Sequence, residues 1–290
     1  MMKIILKKLK NIMFMNSKIL IGVSIILFLI IFIIVGSISG RTDEKMIKAG
    51  AFNPLLPPSF HHPLGTDILG RDYLSVVIIG FSNSLLIGIL AGTIATAISV
   101  VIALGGGYKG GIIDEALSFL TNALLIIPLW PIIAVIIVYA GKINMINMAL
   151  ILSLFSWPWA SRTIRAQVLS LKERPYIDLA RVSGLSDIEI MIKEILPNLM
   201  PYVIVGLSNS IVGAIFAEVG LGIIGLGQAE VVTLGRAIYQ CITMGALSLG
   251  AYNLLIPPIL LIVLTFLSLN ILNIGLDEYF NPRLKRITGK

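Results

Sequence analysis

Between positions 19 and 35 the chain reads ILIGVSIILFLIIFIIV, an apolar run with no charged side chain. A helix needs about 20 such residues to cross the roughly 30 Å hydrocarbon core of a bilayer. Comparable stretches recur at 74–104, 116–139, 143–160, 199–216 and 254–274. Across the 290 residues only 13% are charged and 57% are apolar; a soluble domain carries about 25% charged residues. The number and length of these runs exclude a large soluble core and predict six membrane-spanning helices. Lys3, Lys7, Lys8, Lys10 and Lys18 lead into the first run. That run is longer than the apolar region of a secretory signal and no small-residue cleavage site follows it, so it is read as an uncleaved anchor.

The net charge is +7, and its distribution decides its meaning, because cytoplasmic loops of membrane proteins collect Lys and Arg. With the N-terminus inside, the inner segments hold the five leading lysines and Lys109. They also hold Arg162, Arg165, Lys172, Arg174, Arg181, Lys193, Arg283, Lys285, Arg286 and Lys290. The outer segments hold only Arg41, Lys45, Lys48, Arg71, Lys142 and Arg236. Both termini are therefore expected in the cytoplasm, and the basic charge points to membrane topology rather than to nucleic acid. Pro128 and Pro131 are expected to break the third span, and Pro257 and Pro258 to interrupt the sixth. Membrane helices tolerate this where neighbours satisfy the freed carbonyls. Gly88 and Gly92 have the spacing that lets two helices approach closely, or are ordinary membrane-helix glycines. The single cysteine, Cys241, excludes an internal disulfide and reads as a small buried side chain.

The segment 173–201, ERPYIDLARVSGLSDIEIMIKEILPNLMP, breaks the apolar pattern. Between Arg162 and Glu194 lie six basic and five acidic side chains. Each charge costs about 2.5–3.5 kcal/mol at mid-membrane, so this stretch lies outside the bilayer. It nevertheless patterns as structure. A first helix carries Ile177, Leu179, Ala180 and Val182, and Gly184 fits the position after its end, where positive φ is needed. Ser186 and Glu189 have capping-box spacing. A second helix is expected to carry Ile188, Met191, Ile192 and Ile195 on its apolar side. Pro197 is expected to interrupt the ladder and redirect the chain. The alternative is a solvated loop with incidental helicity; a structured module suits the docking of another protein.

This segment resembles the loop signature of importer-type ABC transporter permeases, in which an E-A-A-x-x-x-G stretch leads to I-x-L-P. The matching positions are Asp178, Leu179, Ala180, Gly184, Leu196 and Pro197; Asp replaces Glu, Leu replaces the first Ala, and Glu194 stands at the first Ile. Further stretches resemble the second membrane subunit of the dipeptide/oligopeptide permeases: HPLGTDILGRDYLS at 62–75, GGYKGGIIDE at 106–115, RTIRAQVLSLKERPYIDLARVSG at 162–184, ILPNLMP at 195–201 and GLDEYFNPRLK at 275–285. The stretch AEVGLGIIGLG at 217–227 lacks the serines of the usual family pattern, which leaves the cargo open.

The resemblance implies an all-α membrane protein, a type I ABC importer permease with six transmembrane helices and a cytoplasmic coupling-helix loop. The implied layout is a basic cytoplasmic N-terminus (1–18), a first transmembrane helix (19–36), an external segment (37–73), a five-helix importer domain (74–276) with its coupling loop at 162–197, and a cytoplasmic tail (277–290). It implies a heterodimer with a second permease subunit in the cell membrane, two ATP-binding subunits, and an external substrate-binding protein. It assigns ATPase coupling to Tyr176, Asp178, Leu179, Ala180, Arg181, Gly184, Leu185 and Pro197. Dipeptides or oligopeptides are the implied cargo; oligosaccharides or nickel on the same scaffold, or a stand-alone secondary transporter, are the alternatives. A proton- or sodium-driven carrier calls for buried acidic groups in several spans, and this chain has almost none.

No G-x-x-x-x-G-K-[ST] occurs, so ATP is expected on partner subunits and no cofactor or catalytic residue on this chain. His61 and His62 are the only histidines and lack metal-site spacing; a loop role is expected. Asp67 and Arg71 stand four apart and pair if that stretch is helical. Glu218 is the one charged group between Met200 and Gln228; it faces an interior or aqueous path, or partners the loop glycines. Asn83, Ser84, Asn209 and Ser210 place polar groups inside spans, where they bond between helices or line the path. Asn83, Asn209 and Glu218 are thus the candidate path residues.

Overall fold

The computed structural model describes residues 16–228 and 231–280. Lys3, Lys7, Lys8, Lys10 and the cations from Arg283 onward lie outside the described residues, as does most of the predicted tail. The first helix, α1 (Ser17–Ile38), starts where the Asn16 side chain accepts from the Lys18 backbone N–H, and follows the first apolar run. A short turn of helix, α2 (Glu44–Ile47), lies in the connecting segment. Then come α3 (Tyr73–Lys109), α4 (Gly111–Ile126), α5 (Leu129–Ala140), α6 (Met145–Lys172) and α7 (Pro175–Val182). The rest of the chain holds α8 (Asp187–Glu189), a π turn (Ile190–Ile195), α9 (Leu196–Ile223), α10 (Leu234–Thr243), a 3₁₀ turn (Tyr252–Leu254) and α11 (Ile256–Phe280). Among the described residues the only β pairing is one isolated bridge, Thr66 with Asp72.

Four helical stretches are long and apolar enough to cross a membrane: Ser17–Ile38, Tyr73–Lys109, Asp187–Ile223 and Tyr252–Tyr279. The bent pair α4 and α5 makes a fifth if it counts as one span. Its halves meet at 86°. Pro128 causes the break: it forces Ile127 into an extended conformation. Pro131, by contrast, sits in the first turn of α5, where a missing N–H costs nothing. Pro257 and Pro258 likewise occupy the first turn of α11 and start that helix rather than interrupting it. The fourth predicted span coincides with α6, which is long enough but falls short of the others in apolarity. The protein is a multi-pass all-α membrane chain.

The chain divides into two compact units. One comprises the described residues of Met1–Gly88, Ala134–Met148 and Ile215–Lys290; the other comprises Ile89–Ile133 and Ala149–Ala214. In the first, α1 lies against α11. A Cβ on Gly22 would stand 2.8 Å from the Ser268 carbonyl oxygen, and one on Gly275 would stand 2.9 Å from the Ile19 nitrogen, so both glycines permit backbone contact. Lys18 pairs with Glu278 near this crossing. The segment before α3 is pinned by hydrogen bonds. The Thr66 hydroxyl donates to Asn53 O (2.7 Å) and accepts from Leu56 N (2.8 Å). Asp67 and Arg71 do pair, at 2.6 Å, but across the turn that closes the Thr66–Asp72 bridge and not along a helix.

In the second unit, Gly92 of α3 meets α9 directly: a Cβ there would stand 2.7 Å from the Ile211 nitrogen. The Ser99 hydroxyl donates to the Trp157 carbonyl (2.7 Å), tying α3 to α6. Pro197 does not interrupt the chain's helical course. The ladder widens ahead of it, with Leu196 N–H donating to Met191 O, and the helix then continues to Ile223. The wide turn relieves the clash a proline ring makes with the carbonyl four residues earlier. Asn198 Nδ2 adds a donor to the Glu194 carbonyl (2.7 Å).

Candidate functional site

The charged segment folds as a capped two-helix module inside the second unit. Pro175 opens α7 at a position suited to it. The helix closes in a Schellman turn: Gly184 has φ of 85°, its N–H bonds Arg181 O (3.0 Å), and Leu185 N–H bonds Ala180 O (3.2 Å). Ser186 caps α8 in a reciprocal box with Glu189, whose carboxylate accepts from Ser186 N (3.1 Å). Lys193 reaches the same carboxylate at 2.8 Å.

Ile177, Ala180, Ile190, Ile195 and Leu199 turn inward and form one core with Ala103, Leu104 and Tyr108 of α3 and Ile164 and Val168 of α6. The spacing of Ile190 and Ile195 explains the π turn's packing role. In a regular α-helix two residues five apart point about 140° away from each other; one wider turn brings both onto the buried face. The apolar side predicted for this helix is corrected accordingly: Ile195 is inward as expected and Met191 packs partly against the core, but Ile188 and Ile192 point out. Tyr108 also clamps the module by its polar edge. Its hydroxyl donates to Asp187 (3.0 Å), and the Arg181 guanidinium stands 5.6 Å over its ring. Beside this core, Arg165 of α6 grips Asp114 of α4 through Nε and Nη2, at 2.6 and 2.5 Å.

Of the predicted coupling residues, the structure gathers all but Pro197 into α7 and its closing turn. They do not share one face. Ala180, Leu185 and Tyr176 pack against the chain's own core, and Tyr176 accepts a long contact from Asn198 (3.5 Å). Asp178 and Arg181 pair on the surface at 3.2 Å. Leu179 points out at 68% exposure, joined by Val182 (88%), Ile188 (65%) and Ile192 (55%). These last three were not among the predicted site residues. Their signal was present, since Leu179 and Val182 share a helix face at a spacing of three, but an apolar side chain in a helix is read as core by default. Exposed apolar groups clustered on a rigid charged module mark an interaction surface.

The predicted path residues fall in two places. In the first unit, Asn83 Nδ2 donates to Val232 O (2.8 Å). Ser84 donates to the Glu218 carboxylate (2.7 Å) and accepts from Leu234 N (3.1 Å). Glu218 is 1% exposed. Gly222 and Gly235 meet backbone to backbone, a Cβ on the former standing 2.9 Å from the Gly235 carbonyl carbon. Asn83, Ser84 and Glu218 thus anchor the start of α10. Asn83 also lines an open cavity of about 390 Å³ with Thr42, Glu44 and Val231. Asn209 belongs to the second unit, where it is half-buried in α9. His62 is engaged by Asp72, with Nδ1 at 2.8 Å, and stacks edge-on with Phe52. Burial alone would raise the Asp72 pKa; hydrogen bonds from Ser75 and His62 and the Arg41 charge hold it below its ordinary value instead. Among the described residues no three His, Cys, Asp or Glu side chains converge as a metal site.

A multi-pass all-α chain with a structured polar module between apolar helices is a membrane transport component by class. Residues 88–286 match the family described as "binding-protein-dependent transport system inner membrane component", and the chain belongs to it. Within that family it is similar to the dipeptide and oligopeptide permeases. The oligopeptide transport system permease protein OppC of Mycobacterium tuberculosis is 33% identical, over 80% of this chain and 79% of its own length. The dipeptide transport system permease protein DppC of Bacillus subtilis is 30% identical over 93% of this chain and 83% of its own length. OppC of the same bacterium is 27% identical over 93% and 87%.

Proposed function

We propose that this chain is one permease subunit of an ATP-driven importer of dipeptides or oligopeptides. It works in the cell membrane beside a second permease subunit, two ATP-binding subunits and an external substrate-binding protein. All six helical stretches cross the bilayer, α6 included, and both termini are cytoplasmic. The observation that carries this reading is the exposed ridge of Leu179, Val182, Ile188 and Ile192 on a module whose opposite face is built into the chain's own core.

The geometry suggests how coupling proceeds. An ATPase groove seats the ridge around Asp178, Leu179, Arg181 and Gly184. When the ATPase closes, the module moves as a body, because capping bonds and the Schellman turn leave it no slack. Its inner residues Ile177, Ala180, Ile190 and Ile195 press on α3 and α6, and the helical course through Pro197 carries the motion into α9. Asn83, Asn209 and Glu218 are assigned to the path or its walls. Peptide cargo is supported by the names of the relatives, and ATP belongs to the partners, because the chain has no phosphate-cradling loop.

Affinity purification of the chain with the products of its neighbouring genes tests the reading. An ATPase is expected in the complex, and labelled dipeptide uptake into inverted or right-side-out vesicles is expected to need ATP. Uptake driven by a proton or sodium gradient with no ATPase present would overturn it.

A further inference from the structure

A cavity of about 190 Å³ opens among α3, α4 and α6 in the second unit, lined by Ile102, Leu117, Ser118, Asn122, Ser161 and Arg162, with Thr121 and Arg165 completing the wall. That is more than ten times the roughly 10–15 Å³ one water needs. The coupling ridge lies elsewhere, and nothing above gives this cavity a role. Its charge is unbalanced. The nearby carboxylate, Asp114, is taken up by Arg165 through two short bonds. Arg162 has no ion pair among the described residues. The Ser118 hydroxyl is buried and has no hydrogen-bond partner among the described residues, whereas Thr121 is already bonded to the Leu117 carbonyl. A free guanidinium and an unused hydroxyl in one concave site suit an oxyanion.

The depth of the site selects the anion. Arg162 lies seventeen residues along α6 from Met145, about 26 Å of helix rise. A hydrocarbon core is roughly 30 Å thick, so a helix entering near Met145 brings Arg162 to the far boundary, where lipid phosphates sit. Ile113, Phe119 and Leu120 of α4 are exposed nearby and offer an apolar surface to acyl chains. We infer that this cavity binds the phosphate of an anionic phospholipid headgroup, with Arg162 as the charge contact and Ser118 as a hydroxyl donor. Basic pockets between membrane helices on the cytoplasmic side take such headgroups. The inference rests on α6 spanning the membrane and is independent of cargo and of ATPase coupling.

The test is native mass spectrometry of the full-length chain, in the complex in which it extracts, after exchange into mild detergent with defined probes. Phosphatidylglycerol is expected to be retained. Arg162→Gln is expected to reduce retention about fivefold, the effect of one interfacial cation. Arg162→Lys should keep most of it and Ser118→Ala should lose a part. Both positions are open to the cavity, and unchanged elution and circular dichroism separate binding loss from misfolding. Phosphatidylcholine with the same acyl chains should be retained less, and millimolar inorganic phosphate should not displace the lipid. Equal retention by wild type and Arg162→Gln, or equal retention of phosphatidylcholine, would overturn the inference. Displacement by inorganic phosphate would reassign the cavity to a free anion and overturn the lipid source. Failure of peptide uptake in other assays leaves this readout unaffected.

Discussion

Gly184 offers a clean separation between folding and coupling. It holds φ of 85° at the end of α7, and a Cβ built there meets nothing within 4 Å among the described residues. Replacing it by any L-residue therefore costs the left-handed backbone penalty of about 1–2 kcal/mol and no steric penalty within the chain. Gly184→Ala and Gly184→Arg should be destabilised alike, by about a tenth of the 5–15 kcal/mol typical of a folded protein. In function they should differ. Alanine adds one methyl group to the surface; arginine adds a long cation where the ATPase is proposed to seat. The assay compares the two variants by thermal unfolding in detergent, by ATPase recovered per chain in affinity purification, and by dipeptide uptake. Matching melting curves with ATPase recovery lost only in Gly184→Arg is the expected result. If Gly184→Arg retains its ATPase and transports as Gly184→Ala does, the docking argument is refuted.

Four further outcomes follow from the packing. Gly92→Val drives side-chain atoms into the Ile211 backbone and should destabilise by at least the 1–3 kcal/mol typical of overpacking, read as lost folded yield in membranes. Asp114→Asn should cost about 1 kcal/mol of thermal stability, discounted for partial exposure, and a double-mutant cycle with Arg165→Gln should show that the two losses are not additive. Ser84→Ala strands both the Glu218 carboxylate and the Leu234 N–H and should cost about 1–3 kcal/mol, whereas Ser84→Thr should retain most of the stability. The lowered Asp72 pKa means its stabilisation is fully present above the ordinary aspartate value of about 4 and is lost as pH falls from there through the folded value. Asp72→Asn should therefore narrow the stability difference between pH 6 and pH 3 in a melting series.

What the sequence made legible was local. Gly184, and Ser186 with Glu189, act within one turn, so spacing alone located the helix end and the next start, and the apolar runs located the long helices. What it concealed depended on distant partners. Ser84 and Glu218 are 134 positions apart, and nothing near either residue announces the other. Pro197 reads as a breaker under a fixed 3.6-residue period, but the core around Ala103 and Ile164 holds Ile190 and Ile195 on one face, and the ladder yields to them. The same assumed period put Ile188 and Ile192 on the wrong side, and so hid half of the exposed ridge. Asp67 and Arg71 show the converse: the pairing was readable from charge and distance, but not the turn that makes it.

The wide turn at Ile190–Ile195 also sets the rotational phase of everything after it. It is in effect a single extra residue inside an otherwise regular helix. Deleting one residue there would restore an ordinary ladder and swing Leu196–Ile223 by about 100°. Leu199 would leave its core, Ile211 would no longer face Gly92, and Glu218 would turn away from Ser84. Chain length between the ridge and the membrane is thus as strictly specified as any side chain: a conservative substitution at Met191 is tolerable, and an in-frame deletion of the same codon is not.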